Sequence, residues 1–288
     1  MSQLKFLDGG MGSELIRRGE IFQPYVWAAT TNLSNPTLVC QVHIDYVNAG
    51  AQYLTANTFR TTPRAYEKTG LAPHKAKEKA YLSLKSAMHM VKVAADEKDK
   101  KIQVLGSIAP LEDCYMPELF PGKEKALKEF TQLGVWLKEC GADGILLETM
   151  NSIVEARTAL NAVSSLDLPV WVSFYLANSQ NIASGESIDD AISMVENYPV
   201  ECLLINCNTL NITSFAVDNV VDKWTKNWGV YPNLGVGNPS PDAVIKRTHS
   251  NDKYFSIIKK AVDAGASVIG GCCGATPDHI SLLKQRFS

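Results

Sequence analysis

Short apolar runs alternate along this chain with longer stretches in which apolar residues recur every three or four positions. The runs fall at residues 5–8, 53–57, 103–108, 144–148, 170–175, 203–207, 229–231 and 267–271. Brief, β-rich and nearly continuous in hydrophobicity, they read as strands buried on both faces. Helical periodicity fills the intervals at 74–97, 124–140, 153–164, 188–197, 212–226 and 252–264. Strands alternating with helices imply a parallel sheet, and eight strands close a (β/α)8 TIM-type barrel. No linker or low-complexity segment interrupts the pattern, so residues 1–288 read as a single barrel domain.

A weak internal repeat gives the barrel a direction. Asn48-Ala-Gly-Ala, Glu139-Cys-Gly-Ala and Asp263-Ala-Gly-Ala each end a helix and lead into a strand. Glycine there suits the left-handed residue that terminates a helix. Seven residues beyond Gly50, Gly141 and Gly265 stand Asn57, Glu148 and Cys272. The register sets all three at C-terminal strand ends, the rim that carries the active site in this fold. Asp8, Tyr175 and Cys207 fall at strand ends too.

Charge narrows the partners. The chain has 28 basic and 30 acidic residues, a net charge of −2 and no basic stripe, which argues against nucleic acid and against a membrane surface. No apolar run approaches the ~20 residues that span a bilayer. Seven dispersed cysteines do not form a disulfide framework; they suggest a reducing, cytoplasmic setting with metal-bound or free thiols. No obligate protein partner is evident.

The cysteines carry the chemistry. Gly270-Gly-Cys-Cys-Gly closes the last apolar run, and Cys207 ends the run that starts at Cys202. Adjacent cysteines bridge each other poorly but can face one soft metal. Strands six and eight of a closed barrel lie two apart, so Cys207, Cys272 and Cys273 can converge. Glycines 270, 271 and 274 are expected to bend the backbone and turn both neighbouring sulfurs inward. Three thiolates leave one tetrahedral position of Zn2+ open, as in a catalytic site. Such a thiolate-rich ion is better suited to hold a further thiolate than to activate water. Cys40, Cys140, Cys202 and Cys114 read as small buried hydrophobes. The five histidines show no ligand spacing with the cysteines and read as structural.

Asp8-Gly-Gly-Met-Gly-Ser-Glu-Leu, Val26-Trp-Ala, Asn57-Thr-Phe, Leu147-Glu-Thr-Met, Asn206-Cys, Tyr231-Pro-Asn and Gly270-Gly-Cys-Cys-Gly follow in that order and span nearly the whole chain. Together they resemble the homocysteine S-methyltransferase family, closest to its short branch using S-methylmethionine or S-adenosylmethionine. The resemblance implies a zinc ion held by Cys207, Cys272 and Cys273, with L-homocysteine sulfur in the fourth position, methylated to methionine. It further implies that Asp8 and Glu148 hold the substrate ammonium. The stretch 9–12, with Gly9, Gly10 and Met11, would offer main-chain N–H groups to its carboxylate, and Asn57 is a further rim contact. Asp8 could alternatively cap the next helix, and Asn57 could be a rim hydrogen bond without substrate contact. Trp27, Phe59 and Tyr175 are candidate walls for a cationic methyl donor. Leu234-Gly-Val-Gly-Asn replaces the family's usual Ser-Gly-Glu, so donor-side contacts do not transfer.

The leading reading is therefore a zinc-dependent methyltransferase acting on homocysteine, with a sulfonium donor first and betaine second. A barrel lyase or aldolase would need a lysine at a strand end, and none of the eight supplies one. A non-enzymatic zinc- or thiol-sensing barrel differs from the leading reading in not binding homocysteine.

Overall fold

The computed structural model describes residues 4–97, 102–221, 223–236, 245 and 247–288. Eight strands are present: β1 (Lys5–Phe6), β2 (Tyr53–Thr55), β3 (Gln103–Ile108), β4 (Gly144–Met150), β5 (Val170–Phe174), β6 (Val200–Asn206), β7 (Asn227–Tyr231) and β8 (Val268–Ile269). They form one sheet in the order β1-β8-β7-β6-β5-β4-β3-β2, every pair parallel. The outer strands meet through a Leu7–Tyr53 bridge. There Gln52 N–H donates to Phe6 O (2.8 Å) and Asp8 N–H to Tyr53 O (3.1 Å), which closes the ring. The expected barrel is thus the observed one.

Strands β1, β2 and β8 are shorter than their apolar runs. Residues 7–8, 56–57 and 270–271 leave the regular ladder at the rim while keeping single bonds, such as Gly271 N–H to Asp8 O (3.1 Å). In contrast, β6 begins three residues before its expected start, because pairing with β5 resumes at Val200 beyond exposed Glu201, where the register shifts by one residue. Helices cover the outside. Gly50, Gly141 and Gly265 precede β2, β4 and β8 at φ of 105°, 80° and 94°, the left-handed conformation expected of them.

Period-two alternation divides the strand residues into two cores. Ile145, Leu147, Leu203 and Ile205 face the helices. Leu105, Leu146, Trp171, Leu204 and Val268 fill the interior together with Leu7, Cys202 and Tyr231. Two residues further along each strand, the same parity carries Ser107, Glu148, Ser173 and Asn206 inward. A polar layer therefore lies directly above the apolar plug. No helix among the described residues is long and apolar enough to cross a membrane.

Candidate metal and thiol site

The three sulfurs nominated by the sequence meet at the C-terminal rim. Their Sγ atoms all lie within 4.8 Å of one another, and Cys207 and Cys273 are 3.5 Å apart. A tetrahedral ion with sulfurs at ~2.3 Å spaces them about 3.8 Å apart, so the cluster has the size of such a site. Cys207 follows β6 at φ 54°, a conformation costly for a non-glycine residue. Its N–H is bonded to Tyr231 O (3.1 Å) and Cys272 N–H to Pro232 O (2.9 Å), so the loop after β7 braces both thiol-bearing segments. Gly274 N–H donates to Ser13 Oγ (2.9 Å), which ties the cysteine loop to the first helix.

The framing glycines differ in role from the sequence expectation. Only Gly274 takes a positive φ. Gly271 is required by packing, because a Cβ there would stand 2.2 Å from Ala275 Cβ. The backbone is therefore crowded into place more than bent.

Close contact pulls the three thiols apart in acidity. Contacts with Cys272, Cys273 and then the Tyr115 hydroxyl, 3.7 Å away, hold the Cys207 thiol well below its ordinary range. The same contact with Cys207 pushes Cys272 and Cys273 up. Such a set is short of positive charge and suits a soft cation. Cys40, Cys114, Cys140 and Cys202 are free thiols outside the cluster.

Two carboxylates border the same cavity, which holds roughly 960 Å3 of space counting its open mouth. Asp8 Oδ2 accepts Thr55 N–H at 2.7 Å. Glu148 Oε2 accepts the Ser107 hydroxyl at 2.5 Å. Burial raises Asp8 to about 8 against the Thr55 bonds, with Glu148 adding repulsion. Burial likewise raises Glu148 to about 7 against the Ser107 bond, with Cys207 adding repulsion. Neither is in an ion pair among the described residues, so both are placed to receive a cation. Asp8 does not cap the helix Met11–Arg17, whose N-cap position is Gly10. In that helix Glu14 N–H is the first to bond back, to Gly10 O (3.1 Å). The amides of Met11, Gly12 and Ser13 thus lack a helical partner. Gly9, Gly10 and Met11 line the cavity. A Cβ on Gly10 would stand 2.5 Å from Cys272 O, so only glycine lets this turn pack against the cysteine loop.

Asn57 also borders the cavity, but its amide nitrogen is committed to Ala28 O (3.0 Å) and Asn32 Oδ1 (2.8 Å). It anchors the segment that carries Trp27. Of the aromatic candidates, Trp27 and Phe59 are on the wall; Tyr175 stands behind it, edge-on to wall residue Tyr115 with ring centres 5.0 Å apart. Leu234 N–H bonds Cys273 O (2.9 Å), whereas Gly237 and Asn238 of the departing segment lie outside the described residues.

One buried network was not foreseen. Asn206 Oδ1 accepts Thr149 N–H (3.1 Å) and the Ser173 hydroxyl (2.6 Å), and its amide donates to Thr149 Oγ1 (2.8 Å). Thr149 follows Glu148 at φ 59° and Cys207 follows Asn206 at φ 54°. The amide of Asn206 thereby locks the rims of β4, β5 and β6, and sets the carboxylate against the thiol. The adjacent Asn-Cys pair was its one trace in the sequence.

A family model described as homocysteine S-methyltransferase matches residues 5–287. The chain belongs to the homocysteine S-methyltransferase family. It is 30% identical over 298 residues to the homocysteine S-methyltransferase of Escherichia coli (strain K12), covering 97% of this chain and 94% of that one. A selenocysteine Se-methyltransferase of Brassica oleracea var. italica is 29% identical over 304 residues, covering 98% and 88%. The structure of the homocysteine methyltransferase MmuM from Escherichia coli in metallated form superposes with a TM-score of 0.85 at 26% identity, covering 99% of this chain and 96% of that one. As a member of this family, the chain is a methyltransferase whose cysteine cluster can hold a metal ion.

Proposed function

We propose that residues 1–288 act as one barrel that transfers a methyl group from a sulfonium donor to the sulfur of L-homocysteine, yielding methionine, with zinc at Cys207, Cys272 and Cys273. The observation that carries this reading is the pairing, in one cavity, of a three-thiol cluster with two buried carboxylates that lack a cation. Homocysteine supplies what each lacks, a sulfur and an ammonium. When bound, zinc provides a Lewis acid that keeps the substrate sulfur deprotonated at neutral pH.

The chain's own residues do the rest. Asp8 and Glu148 fix the ammonium and thereby the direction of the thiol arm. Main-chain amides of the stretch 9–12, those of Met11 and Gly12 among them, receive the carboxylate. Ser107 and Thr55 hold the two carboxylates in place through the bonds described above. Phe59 and Tyr115 wall the cavity and limit water around the in-line attack. S-methylmethionine or S-adenosylmethionine is the donor of choice, with betaine next.

The test is a donor panel with homocysteine and zinc-loaded protein, scored by methionine formed. Turnover with a sulfonium donor supports the reading. Homocysteine binding without turnover on any donor would replace it by a thiol-sensing barrel.

A further inference from the structure

Among the described residues, Arg60 is the one charged group on the cavity wall that neither the thiol cluster nor the carboxylates use. It follows β2 and is 6% exposed. Its Nη1 donates to Pro110 O (2.7 Å), which holds the guanidinium against the neighbouring rim loop. The ion pairs of this region join Arg64 to Glu112 and Glu129 and Lys68 to Glu112, and none among the described residues involves Arg60. Glu155, the buried carboxylate that feels its charge, accepts Leu111 N–H (2.9 Å) instead. With one protein acceptor among its five N–H donors, the guanidinium keeps donors free for a ligand, on a residue that is 6% exposed and lines the cavity. Glu155 tempers this charge from a distance without bonding it, so the fork is open to an anionic ligand.

Its surroundings reverse one expectation from the sequence. The guanidinium carbon lies 4.9 Å from the ring centre of Phe59 and 5.9 Å from that of Trp27. Those two rings are stacked with centres 6.3 Å apart. A resident cation thus already occupies the aromatic faces that seemed suited to a cationic donor. This end of the cavity is built for an anion. The end near Cys207, walled by Tyr115, is left for the positive sulfur.

We propose that Arg60 is an anchor for the carboxylate of the methyl donor, so that the barrel selects onium donors that carry a carboxylate. The inference rests on the methyl-transfer reading above. It places the two ends of a zwitterionic donor: carboxylate on the Arg60 fork, onium centre toward the thiol cluster. A planar guanidinium matches a carboxylate in two-point fashion, which also fixes the donor's orientation.

The test uses zinc-loaded protein with S-methylmethionine, its methyl ester, and the variants Arg60→Gln and Arg60→Lys. Donor binding is measured by calorimetry without homocysteine, so that no transfer occurs, and KM for each substrate by methionine formation. Native protein is expected to bind S-methylmethionine about 10- to 100-fold more tightly than the ester. Arg60→Gln should raise the donor Kd and KM by about the same factor and abolish the preference over the ester. It should move the homocysteine KM less than about threefold, and Arg60→Lys should recover part of the loss. The acid-to-ester ratio of native protein requires no variant to fold. Equal binding of acid and ester by native protein overturns the proposal. So does an Arg60→Gln effect confined to homocysteine, which would give the fork to the acceptor instead. If native protein shows donor binding with the expected ratio but no methyl transfer, the carboxylate anchor stands and the transferase reading fails.

Discussion

The two raised carboxylates make ligand affinity a steep function of pH. The useful probe is methionine, which has the ammonium and carboxylate of homocysteine but no thiol proton. The protein is reduced and metal-free, so that no ion adds to the field at Glu148. An ammonium ligand needs both carboxylates ionised, while burial holds Asp8 at about 8 and Glu148 at about 7. Each pH unit below a pKa costs about 1.4 kcal/mol, or tenfold in affinity. At pH 6 the shortfall is roughly one unit for Glu148 and two for Asp8, about a thousandfold together. Affinity should therefore rise with pH, tenfold per unit between 7 and 8 and nearly a hundredfold per unit below 7. Glu148→Gln keeps an acceptor for Ser107 and removes one titration. Its slope below pH 7 should fall to about tenfold per unit, and at pH 8.5 it should bind roughly 10- to 100-fold more weakly for want of one charge-assisted bond. The linked stability has the opposite sign to the usual carboxylate. Groups raised above their unfolded values stabilise the free protein most at low pH, and that contribution is lost as pH rises through 7 and 8. Titration calorimetry from pH 6 to 8.5 measures both proteins. Methionine affinity that is flat over this range, or equally steep in Glu148→Gln, would refute the assignment of these carboxylates to the ammonium.

Serine at Cys207, Cys272 or Cys273 should abolish turnover and most bound zinc while leaving the unfolding midpoint nearly unchanged; Cys40→Ser is the control, and metal analysis with urea melts reads both. Asn206→Leu should cost about 1–3 kcal/mol by stranding Thr149 N–H, and should weaken zinc binding through Cys207 more than a serine at the remote Cys202 does, as measured by chelator competition. His43 is fully buried with both ring nitrogens unpartnered, and burial lowers it to about 3. Native protein resists its protonation, so stability should fall as pH drops below 6.5, by about 2 kcal/mol at pH 5. His43→Leu should abolish that part of the acid sensitivity, seen as a Tm gain larger at pH 5 than at pH 7.5.

Some of this molecule was determined by sequence alone, because the determinants are local. Short apolar runs alternating with helical periodicity specified eight parallel strands and the barrel that they close. Glycine at 50, 141 and 265 marked where helices end, and counting from it reached the rim at Asn57, Glu148 and Cys272. An adjacent cysteine pair framed by glycine has few uses other than a soft metal. What the tertiary structure decided depends on register and closure, which set the distance between residues far apart in the chain. Residues 270–271 leave β8 because the backbone must pass between Asp8 and Ala275. The apolar pattern of 267–271 does not contain that contact. Asn206 reads as an ordinary polar residue until β4, β5 and β6 are aligned and its amide meets Thr149 and Ser173. Asn57 looked free to meet a substrate until Ala28 and Asn32 arrived to take its N–H groups. Arg60 gave no signal beyond a charge in a polar stretch. Only the closed barrel sets it over Phe59 and Trp27 on the cavity wall with a single protein acceptor, because hydrogen-bond satisfaction belongs to the folded neighbourhood and not to the residue.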